Sequence, residues 1–337
     1  KYNPSENIFL KRAASVFTIH NLAYQGVYNK KILDICGIDR KNFRNDRLEF
    51  KGMVNFMKVG ILCSDKITTV SPTYAREILT PEYGNGLDKV LESRQDDLIG
   101  IINGIDYSIW NPETDTEIFA NYSIKNLSGK ELCKKNLLSK LFNQNADVRK
   151  PLIGVVSRLS EQKGIDLIVK AMSAVMQHDL YFIILGTGED KYHKLLTNIQ
   201  SKYQKKLKII IGYSDSLARE IYSGADIFLM PSNYEPCGLG QLISLKYGTI
   251  PVVRNTGGLA DTIIDINTEE DVKNGGQGFK FFRYNYNEFL YAVKRALFFY
   301  KDRILWEKII LNGMRCNFSW DYSAEKYKEL YEELSSK

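Results

Sequence analysis

The sequence predicts an α/β protein made of two doubly wound lobes, and two observations carry this prediction. At 337 residues the chain exceeds the size at which one hydrophobic core keeps growing, so two lobes of ordinary domain size are expected. From residue 151 onward, short apolar runs alternate regularly with longer stretches of helical period. Continuous apolar strands of this kind are typical of parallel sheets that are covered on both faces.

The second half of the chain supplies the clearest strands and a well-marked helix. A helix is predicted to begin near Gly164, because apolar residues then recur every three or four positions and share one face. These residues are Ile165, Ile168, Met172 and Val175. The predicted strands are PLIGVVS (151 to 157), YFIILG (181 to 186), LKIIIG (207 to 212), ADIFLMP (225 to 231) and TIPVVR (249 to 254). This half is therefore predicted to be Rossmann-like.

The first 125 residues show the same alternation less clearly. The strand-like runs are SVFTIH (15 to 20), KITTVS (66 to 71) and DLIGII (97 to 102), and MVNFMKVGILC (53 to 63) has a helical pattern. Three strands are few for such a lobe, and the chain starts at Lys1 rather than Met, so we expect part of a longer polypeptide. The polar stretch 125 to 150 is the best candidate for the crossing between lobes.

We accordingly predict three parts of the chain. Residues 1–135 form a partial N-terminal Rossmann-like domain, and residues 136–315 form a C-terminal Rossmann-like domain. Residues 316–337 form a helix that packs back toward the N-terminal domain.

Composition restricts the partners and the compartment. With 44% apolar and 26% charged residues and a formal charge of +6, the chain is typical of soluble proteins, and an anionic small ligand is favoured over nucleic acid. The five cysteines are odd in number, are scattered, and show no metal-ligand or redox spacing, which predicts a reduced, cytoplasmic protein without a metal site. No apolar stretch approaches the roughly 20 residues of a membrane span, and no signal peptide is recognisable.

Polar clusters follow the predicted strands of the second half, where parallel sheets bind their ligands. Arg158 and Lys163 follow the first strand in SRLSEQKG, and two cations beside a helix start suit a diphosphate. Solvated surface charges are the alternative interpretation of this pair.

The fragment GTGED (186 to 190), after the second strand, permits close approach of a ligand to the backbone, but a simple tight turn explains it equally well. Tyr213, after the third strand, either stacks on a base or packs within the protein.

Two further clusters complete this rim. Glu235 lies in SNYEPCGLGQL, where the alternative to a binding role is capping of the next helix through the helix dipole. Gly257 and Gly258 in NTGGLAD are predicted to expose backbone N–H groups that suit phosphate. Cys237 is interpreted as a small buried apolar residue rather than a nucleophile. His20 closes a strand in the first half, and a structural role is its alternative.

Six long segments resemble bacterial glycogen synthases and plant starch synthases in the order of that family. They are FTIHNLAYQG, KITTVSPTYAREILTPEYGNGLD, GIINGIDYSIWNPETD, VVSRLSEQKGIDLI, EPCGLGQLISLKYGTIPVVRNTGGLADTI and FSWDYSAEKYKELY. The resemblance implies a retaining glucosyltransferase of the GT-B type, in which two Rossmann-like domains face a cleft. It also implies that residues 1–135 form the acceptor-side domain and that residues 136–315 form the domain that binds the nucleotide sugar. It implies transfer of glucose from ADP-glucose to the non-reducing end of an α-1,4-glucan, without a metal ion or a cofactor. The choice of ADP over UDP comes from the family and from no single residue.

The resemblance also implies roles for individual residues. Arg158 and Lys163 would neutralise the departing diphosphate, Tyr213 would lie against the adenine, and Glu235 would hold the glucose hydroxyls. From the opposite domain the sugar would be approached by His20, as a catalytic residue, and by Asn21. The remaining substrate contacts would come from Cys237, Gly238, Leu239, Thr256, Gly257 and Gly258.

The chain departs from the family in one segment. Family members begin with a strand and a K-x-G-G-L loop that holds the donor, whereas the only G-G-L here stands at residues 257 to 259. Three explanations are left open: a fragment of a full enzyme, a truncated inactive relative, or a glucan-binding or complementing subunit. Glucan phosphorylase shares the architecture, but no segment resembles its pyridoxal-phosphate lysine site.

Overall fold

The computed structural model describes residues 13–39, 47–143 and 145–336, and the chain divides into two compact units. The first unit holds the described residues up to Asn103 together with those from Ser323 onward, and the second runs from Gly104 to Tyr322. Each unit contains a parallel sheet and α-helices. The domain limits taken from the sequence, at residues 135 and 315, stay predictions.

The first unit contains a parallel sheet of three strands and a small antiparallel sheet. The strands are β1 (Val16–Ile19), β2 (Val27–Tyr28), β3 (Glu49–Phe50), β4 (Met53–Asn55), β5 (Lys66–Thr69) and β6 (Leu98–Gly100). The parallel sheet has the order β1-β5-β6 and the antiparallel sheet the order β2-β4-β3. The three runs predicted as strands in this half therefore pair with one another, as a Rossmann-like lobe requires.

In the described part of this unit, four short helices lie between the strands, and the first packs beside the antiparallel sheet, where Leu33 clusters with Leu48 and Val54. The helices are α1 (Ile32–Ile35), α2 (Phe56–Cys63), α3 (Pro72–Glu77) and α4 (Asp88–Glu92). The helical pattern at 53 to 63 begins later than predicted because Asn55 caps α2, its Oδ1 accepting from the Lys58 N–H at 3.0 Å. The residues before the cap form β4 instead. Ile19, Ile61 and Ile67 join the core between sheet and helices.

The second unit is built on a sheet of six parallel strands. They are β7 (Leu152–Val156), β8 (Tyr181–Gly186), β9 (Leu207–Ile211), β10 (Ile227–Met230), β11 (Ile250–Arg254) and β12 (Phe279–Phe281), in the order β12-β11-β10-β7-β8-β9. The first five coincide with the predicted runs. The sixth was missed because only three residues, FKF, pair with β11.

Helices flank this sheet, in agreement with the doubly wound α/β prediction. They are α5 (Ser128–Leu141), α6 (Ile165–Val175), α7 (Asp190–Lys202), α8 (Asp215–Gly224), α9 (Gly240–Lys246), α10 (Gly257–Thr262), α11 (Glu269–Lys273), α12 (Tyr286–Phe299) and α13 (Arg303–Arg315). The apolar face predicted for α6 is buried, since its four periodic residues are at most 2% exposed. In the part of the chain that the structure describes, no helix has the length and apolar character needed to cross a bilayer.

The last helix, α14 (Trp320–Ser335), extends into the first unit. There the Ser323 hydroxyl donates to the carbonyl oxygen of Ile102 at 2.6 Å, and Glu333 lies 3.5 Å from the ammonium group of Lys66. These two contacts attach the end of the chain to the segment around the parallel sheet of the first unit.

The strand order of the second unit reverses between β7 and β10. From β7 the chain winds outward through β8 and β9, and it then returns to form β10 on the other side of β7. In open α/β sheets the crevice at such a reversal, beyond the carboxyl ends of the strands, is the usual ligand site. The two loops that border it are the β7 loop, residues 157–164, and the β10 loop, residues 231–239.

Candidate active site

The β7 loop carries both predicted cations, in different surroundings. Arg158 is exposed, and its Nη2 donates to the side-chain oxygen of Gln162 at 3.1 Å. Lys163 ends a short 3-10 turn (Glu161–Lys163), and its side chain is only 19% exposed. The loop therefore offers one guanidinium group to solvent and one ammonium group that is largely enclosed.

Backbone contacts hold the two loops side by side. Gly164 has φ +72°, and a Cβ there would lie 2.0 Å from the carbonyl oxygen of Pro231, so only glycine fits where α6 begins. The N–H of Asn233 donates to the carbonyl oxygen of Gln162 at 2.9 Å. The spacing between the loops is thus set by main chain as well as by side chains.

Glu235, in the β10 loop, is 5% exposed and forms an ion pair across the crevice. Its Oε2 accepts from Lys163 Nζ at 2.6 Å and from the Ser232 hydroxyl at 3.0 Å. Helix α9 begins only at Gly240, so Glu235 does not cap it, and the capping alternative does not explain this carboxylate. Among the described residues Oε1 accepts no hydrogen bond, which leaves one carboxylate oxygen available to a ligand.

The rest of the β10 loop turns sharply toward α9. Cys237 is buried at 5% exposure, in agreement with its interpretation as a small apolar residue. Gly238 adopts φ +75°, a conformation that favours glycine. Leu239 is 46% exposed. The side-chain amide of Gln241 donates to the carbonyl oxygens of Cys237 and Gly238, both at 3.0 Å, and so fixes this turn.

The two glycines at the start of α10 pack closely against the backbone of the β10 loop and do not line an open crevice. A Cβ on Gly257 would lie 1.9 Å from the carbonyl oxygen of Glu235, and one on Gly258 would lie 2.1 Å from that of Cys237. The N–H of Gly258 donates to the carbonyl oxygens of Glu235 and Pro236, each at 3.1 Å. This N–H group is therefore engaged within the protein, unlike the exposed phosphate nest expected from the sequence. Thr256, just before them, is buried.

A cavity of about 240 Å³ adjoins the β7 loop and contains the predicted base-stacking residue. It is lined by Arg158, by Tyr213 and by Asp215 at the start of α8, among others. Tyr213 is 89% exposed, so packing within the protein does not explain its presence. A cation and an exposed aromatic ring thus border the same cavity.

His20 and Asn21 lie in the first unit, at the end of β1. His20 is exposed. Asn21 closes a tight turn, since its Oδ1 accepts from the Ala23 N–H at 3.0 Å, and the following Leu22 is buried, with its N–H donating to the Tyr74 hydroxyl at 3.0 Å. The described fold places His20 on the surface beyond a parallel strand, which is where the sequence predicts it.

The second unit therefore brings Arg158, Lys163 and Glu235 to one edge of one sheet. Ser232 and Gln162, which contact Glu235 and Arg158, were not identified from the sequence. Ser232 stands only three residues before Glu235, and this short spacing is the feature of the sequence that could have indicated their contact. In the described ranges no group of three or more His, Cys, Asp and Glu side chains is placed to hold a metal ion, and the absence of a metal stays a prediction.

Comparisons with known proteins define the class first. Residues 1–93 match the family model "Starch synthase catalytic domain", and residues 139–303 match "Glycosyl transferases group 1". The catalytic domain of starch synthase IV from Arabidopsis thaliana, solved bound to ADP and acarbose, matches with a TM-score of 0.92 and 36% identity, covering 100% of this chain and 70% of that one. A glycosyltransferase from Rickettsia africae, at 20% identity and a TM-score of 0.56, shares the fold. The protein is a glycosyltransferase of the GT-B class.

Curated relatives narrow the class to a family. The chain is 48% identical to a glycogen synthase of Geotalea uraniireducens, covering 97% of this chain and 66% of the relative. For the glycogen synthases of Thermosipho melanesiensis and Pseudothermotoga lettingae the identities are 45% and 47%, each match covering 98% of this chain and 68% and 67% of the relative. The chain thus spans about two thirds of the length of these relatives. It belongs to the glycogen and starch synthase family. The predicted family, GT-B fold and glucosyltransferase class are confirmed at this level.

Proposed function

We propose that this chain carries the glucosyl-transfer chemistry of a glycogen synthase. It transfers glucose from ADP-glucose to the 4-hydroxyl at the non-reducing end of an α-1,4-glucan, with retention at the anomeric carbon. The observation that supports this most directly is the Lys163–Glu235 ion pair of 2.6 Å, with Arg158 on the same loop, at the reversal of strand order in the sheet. This arrangement provides fixed charge of both signs where a bond to a diphosphate is to be broken.

In this proposal the β7 loop stabilises the leaving group. The bond between the anomeric carbon and the diphosphate oxygen breaks, and its electron pair leaves with ADP. Arg158, which is exposed, binds diphosphate oxygens with its planar guanidinium group, and Lys163 adds a positive charge. The acceptor hydroxyl then bonds to the anomeric carbon on the same face, and its proton passes to the departing diphosphate.

The β10 loop holds the sugar. Glu235 is kept in place by Lys163 and Ser232 through Oε2, so Oε1 is left to accept from a glucose hydroxyl. The negative charge also favours the positive charge that develops on the sugar ring. We assign to Cys237, Gly238 and Leu239 the backbone and apolar boundary of this sugar site.

The nucleotide occupies the cavity beside the β7 loop. Tyr213 lies against the adenine, for which its 89% exposure leaves the ring face accessible. Thr256, at the start of α10, lies near the phosphates, and Gly257 and Gly258 act by allowing α10 to approach the β10 loop closely. His20 and Asn21 contact the sugar from the N-terminal domain.

The substrates are inferred from a solved relative and the compartment from the cysteines. The ADP and acarbose bound to starch synthase IV support a nucleotide-sugar donor and a glucan acceptor for this chain, and the choice of ADP-glucose follows the family. All five cysteines are free, which supports a reducing, cytoplasmic location. The proposal includes no nucleic acid, no membrane and no cofactor.

The test is incorporation of labelled glucose from ADP-glucose into glycogen by the protein that contains this chain. Labelled product that an α-1,4-specific amylase releases supports the proposal, and UDP-glucose assayed in parallel measures donor preference. Glycogen binding without incorporation, while ADP binding is intact, would instead indicate the glucan-binding subunit considered from the sequence.

A further inference from the structure

Two side chains outside the proposed substrate contacts connect both loops of the site. Arg254, the last residue of β11, donates from Nη1 to the carbonyl oxygen of Asn233 in the β10 loop. Its Nε donates to the carbonyl oxygen of Phe282, which follows β12, at 3.2 Å. One guanidinium group thus joins the β10 loop, which carries Glu235, to the segment that follows β12.

Tyr284 holds the other loop. Its hydroxyl donates to a carboxylate oxygen of Asp166, in the first turn of α6, and lies 3.3 Å from the carbonyl oxygen of Glu161 in the β7 loop. Burial, followed by the hydrogen bond to Asp166, raises the pKa of Tyr284, so the hydroxyl keeps its proton. The residue is half-buried, and its hydroxyl lies between the first turn of α6 and the loop that carries Lys163.

The two side chains contact each other. The Arg254 guanidinium carbon lies 5.6 Å from the centre of the Tyr284 ring, within the range of a cation–π contact. A continuous path therefore runs from the backbone of Asn233, through Arg254 and Tyr284, to Asp166 and the β7 loop. This path is separate from the backbone hydrogen bond between the loops, which the Asn233 N–H donates to the carbonyl oxygen of Gln162.

We propose that Arg254 and Tyr284 form a positioning clamp that fixes the distance between Lys163 and Glu235. The inference rests on the proposed function, because it concerns the pair that stabilises charge separation. Arg254 restrains the main chain two residues before Glu235, and Tyr284 restrains that of the residue two before Lys163. The clamp does not touch the reacting atoms. It acts by keeping a 2.6 Å ion pair formed while substrate binds and product leaves.

The test uses variants that remove one restraint each. Tyr284→Phe keeps the ring and removes the donor, and Arg254→Lys keeps the charge but cannot reproduce the two donations. We expect each to lower kcat roughly tenfold, since small displacements of charged groups weaken transition-state stabilisation. The KM for the glucan should stay within about twofold, because the clamp acts on the donor site rather than the acceptor site.

Matched controls lie in the same segment. Tyr286→Phe removes a hydroxyl that makes no hydrogen bond to either loop among the described residues, and Arg283→Ala removes an exposed guanidinium group paired with Glu288. Both should retain wild-type kcat. Hydrogen exchange of peptides covering the two loops should be faster in Tyr284→Phe and Arg254→Lys than in these controls, a readout that does not depend on activity.

A double-mutant cycle separates positioning from general stability. If the clamp works through the ion pair, Tyr284→Phe should cost little further activity once Lys163 is replaced by alanine. An equal loss in both backgrounds, or unchanged kcat and unchanged hydrogen exchange in the single variants, would overturn the clamp. A wild-type protein without glucan synthesis would instead contradict the proposed function, while the hydrogen-exchange result would still decide on the clamp.

Discussion

Lys163 Nζ lies 2.6 Å from Glu235 Oε2 although 72 residues separate the two in sequence. Their side chains are 19% and 7% exposed, so the pair is sheltered from solvent more than a surface salt bridge is. Without a bound substrate, each of these two charges is compensated by the other. In the proposed function, the same charges serve the diphosphate and the sugar of the bound donor.

Replacing Glu235 by glutamine should therefore affect both stability and turnover. Loss of the charge leaves Lys163 with a neutral partner, which we expect to cost about 1 to 3 kcal/mol in the free energy of unfolding. Turnover should fall about 100-fold, since the negative charge beside the sugar is lost. Urea unfolding and initial rates measure the two effects. Glu270→Gln, in an exposed pair with Lys273, should change neither, and equal effects in both variants would contradict the prediction.

Arg158→Ala should act on turnover almost alone. The side chain is exposed, so its removal leaves no buried group unpaired, and thermal unfolding should stay close to wild type. We expect turnover to fall on the order of 100-fold or more, because one fixed cation beside the leaving diphosphate is removed. Arg149→Ala provides the control, since that exposed arginine precedes β7, at the opposite edge of the sheet. Near-normal turnover in Arg158→Ala would remove this residue from the mechanism.

Gly257→Ala tests the close approach of α10 to the β10 loop. Its φ is +43°, and the new Cβ would lie 1.9 Å from the carbonyl oxygen of Glu235, so we expect a loss of about 3 kcal/mol or more in the free energy of unfolding. Gly275→Ala separates the two causes, since φ is +94° there and no atom lies within 4 Å. Backbone strain alone should cost about 1 kcal/mol in that variant. Similar losses, measured by urea unfolding, would show that the contact has little energetic weight.

Tyr213 should contribute to nucleotide affinity through its ring rather than its hydroxyl. Tyr213→Ala is expected to raise the Kd for ADP about tenfold, the cost of losing one base–aromatic stack, whereas Tyr213→Phe should bind ADP nearly as the wild type does. Isothermal titration calorimetry measures both values. Folding should be unaffected, because the side chain is 89% exposed. A phenylalanine variant as weak as the alanine variant would assign the interaction to the hydroxyl group.

The sequence predicts most strands of this protein because burial on both faces leaves an unmistakable pattern. The run YFIILG becomes β8 without change, and all six of its residues are buried. Elements that depend on pairing are less visible: β12 has three residues, and β4 occupies the first part of a pattern assigned to a helix. In that pattern Met53–Asn55 pair with neighbouring strands, and Asn55 then caps α2.

For the candidate site, the sequence predicts which residues follow the strands but not which contacts they make. Arg158, Lys163 and Glu235 follow predicted strands, and the geometry of parallel sheets brings strand ends together. That Lys163 bonds to Glu235, or that Arg254 reaches Asn233, depends on loop conformations that residue spacing does not encode. The glycines show this limit clearly, since Gly258 serves the packing of α10 and uses its N–H inside the protein.

The reversal of strand order between β7 and β10 also has a consequence for the order in which the protein folds. A chain synthesised as far as β9 has the β7 loop and its cations but lacks the carboxylate, because β10 and Glu235 come later. Docking of β10 against β7 is a non-local pairing, the type of step that tends to be slow in folding. Catalytic competence should therefore be acquired in a late step, when the two separately wound halves of the sheet join.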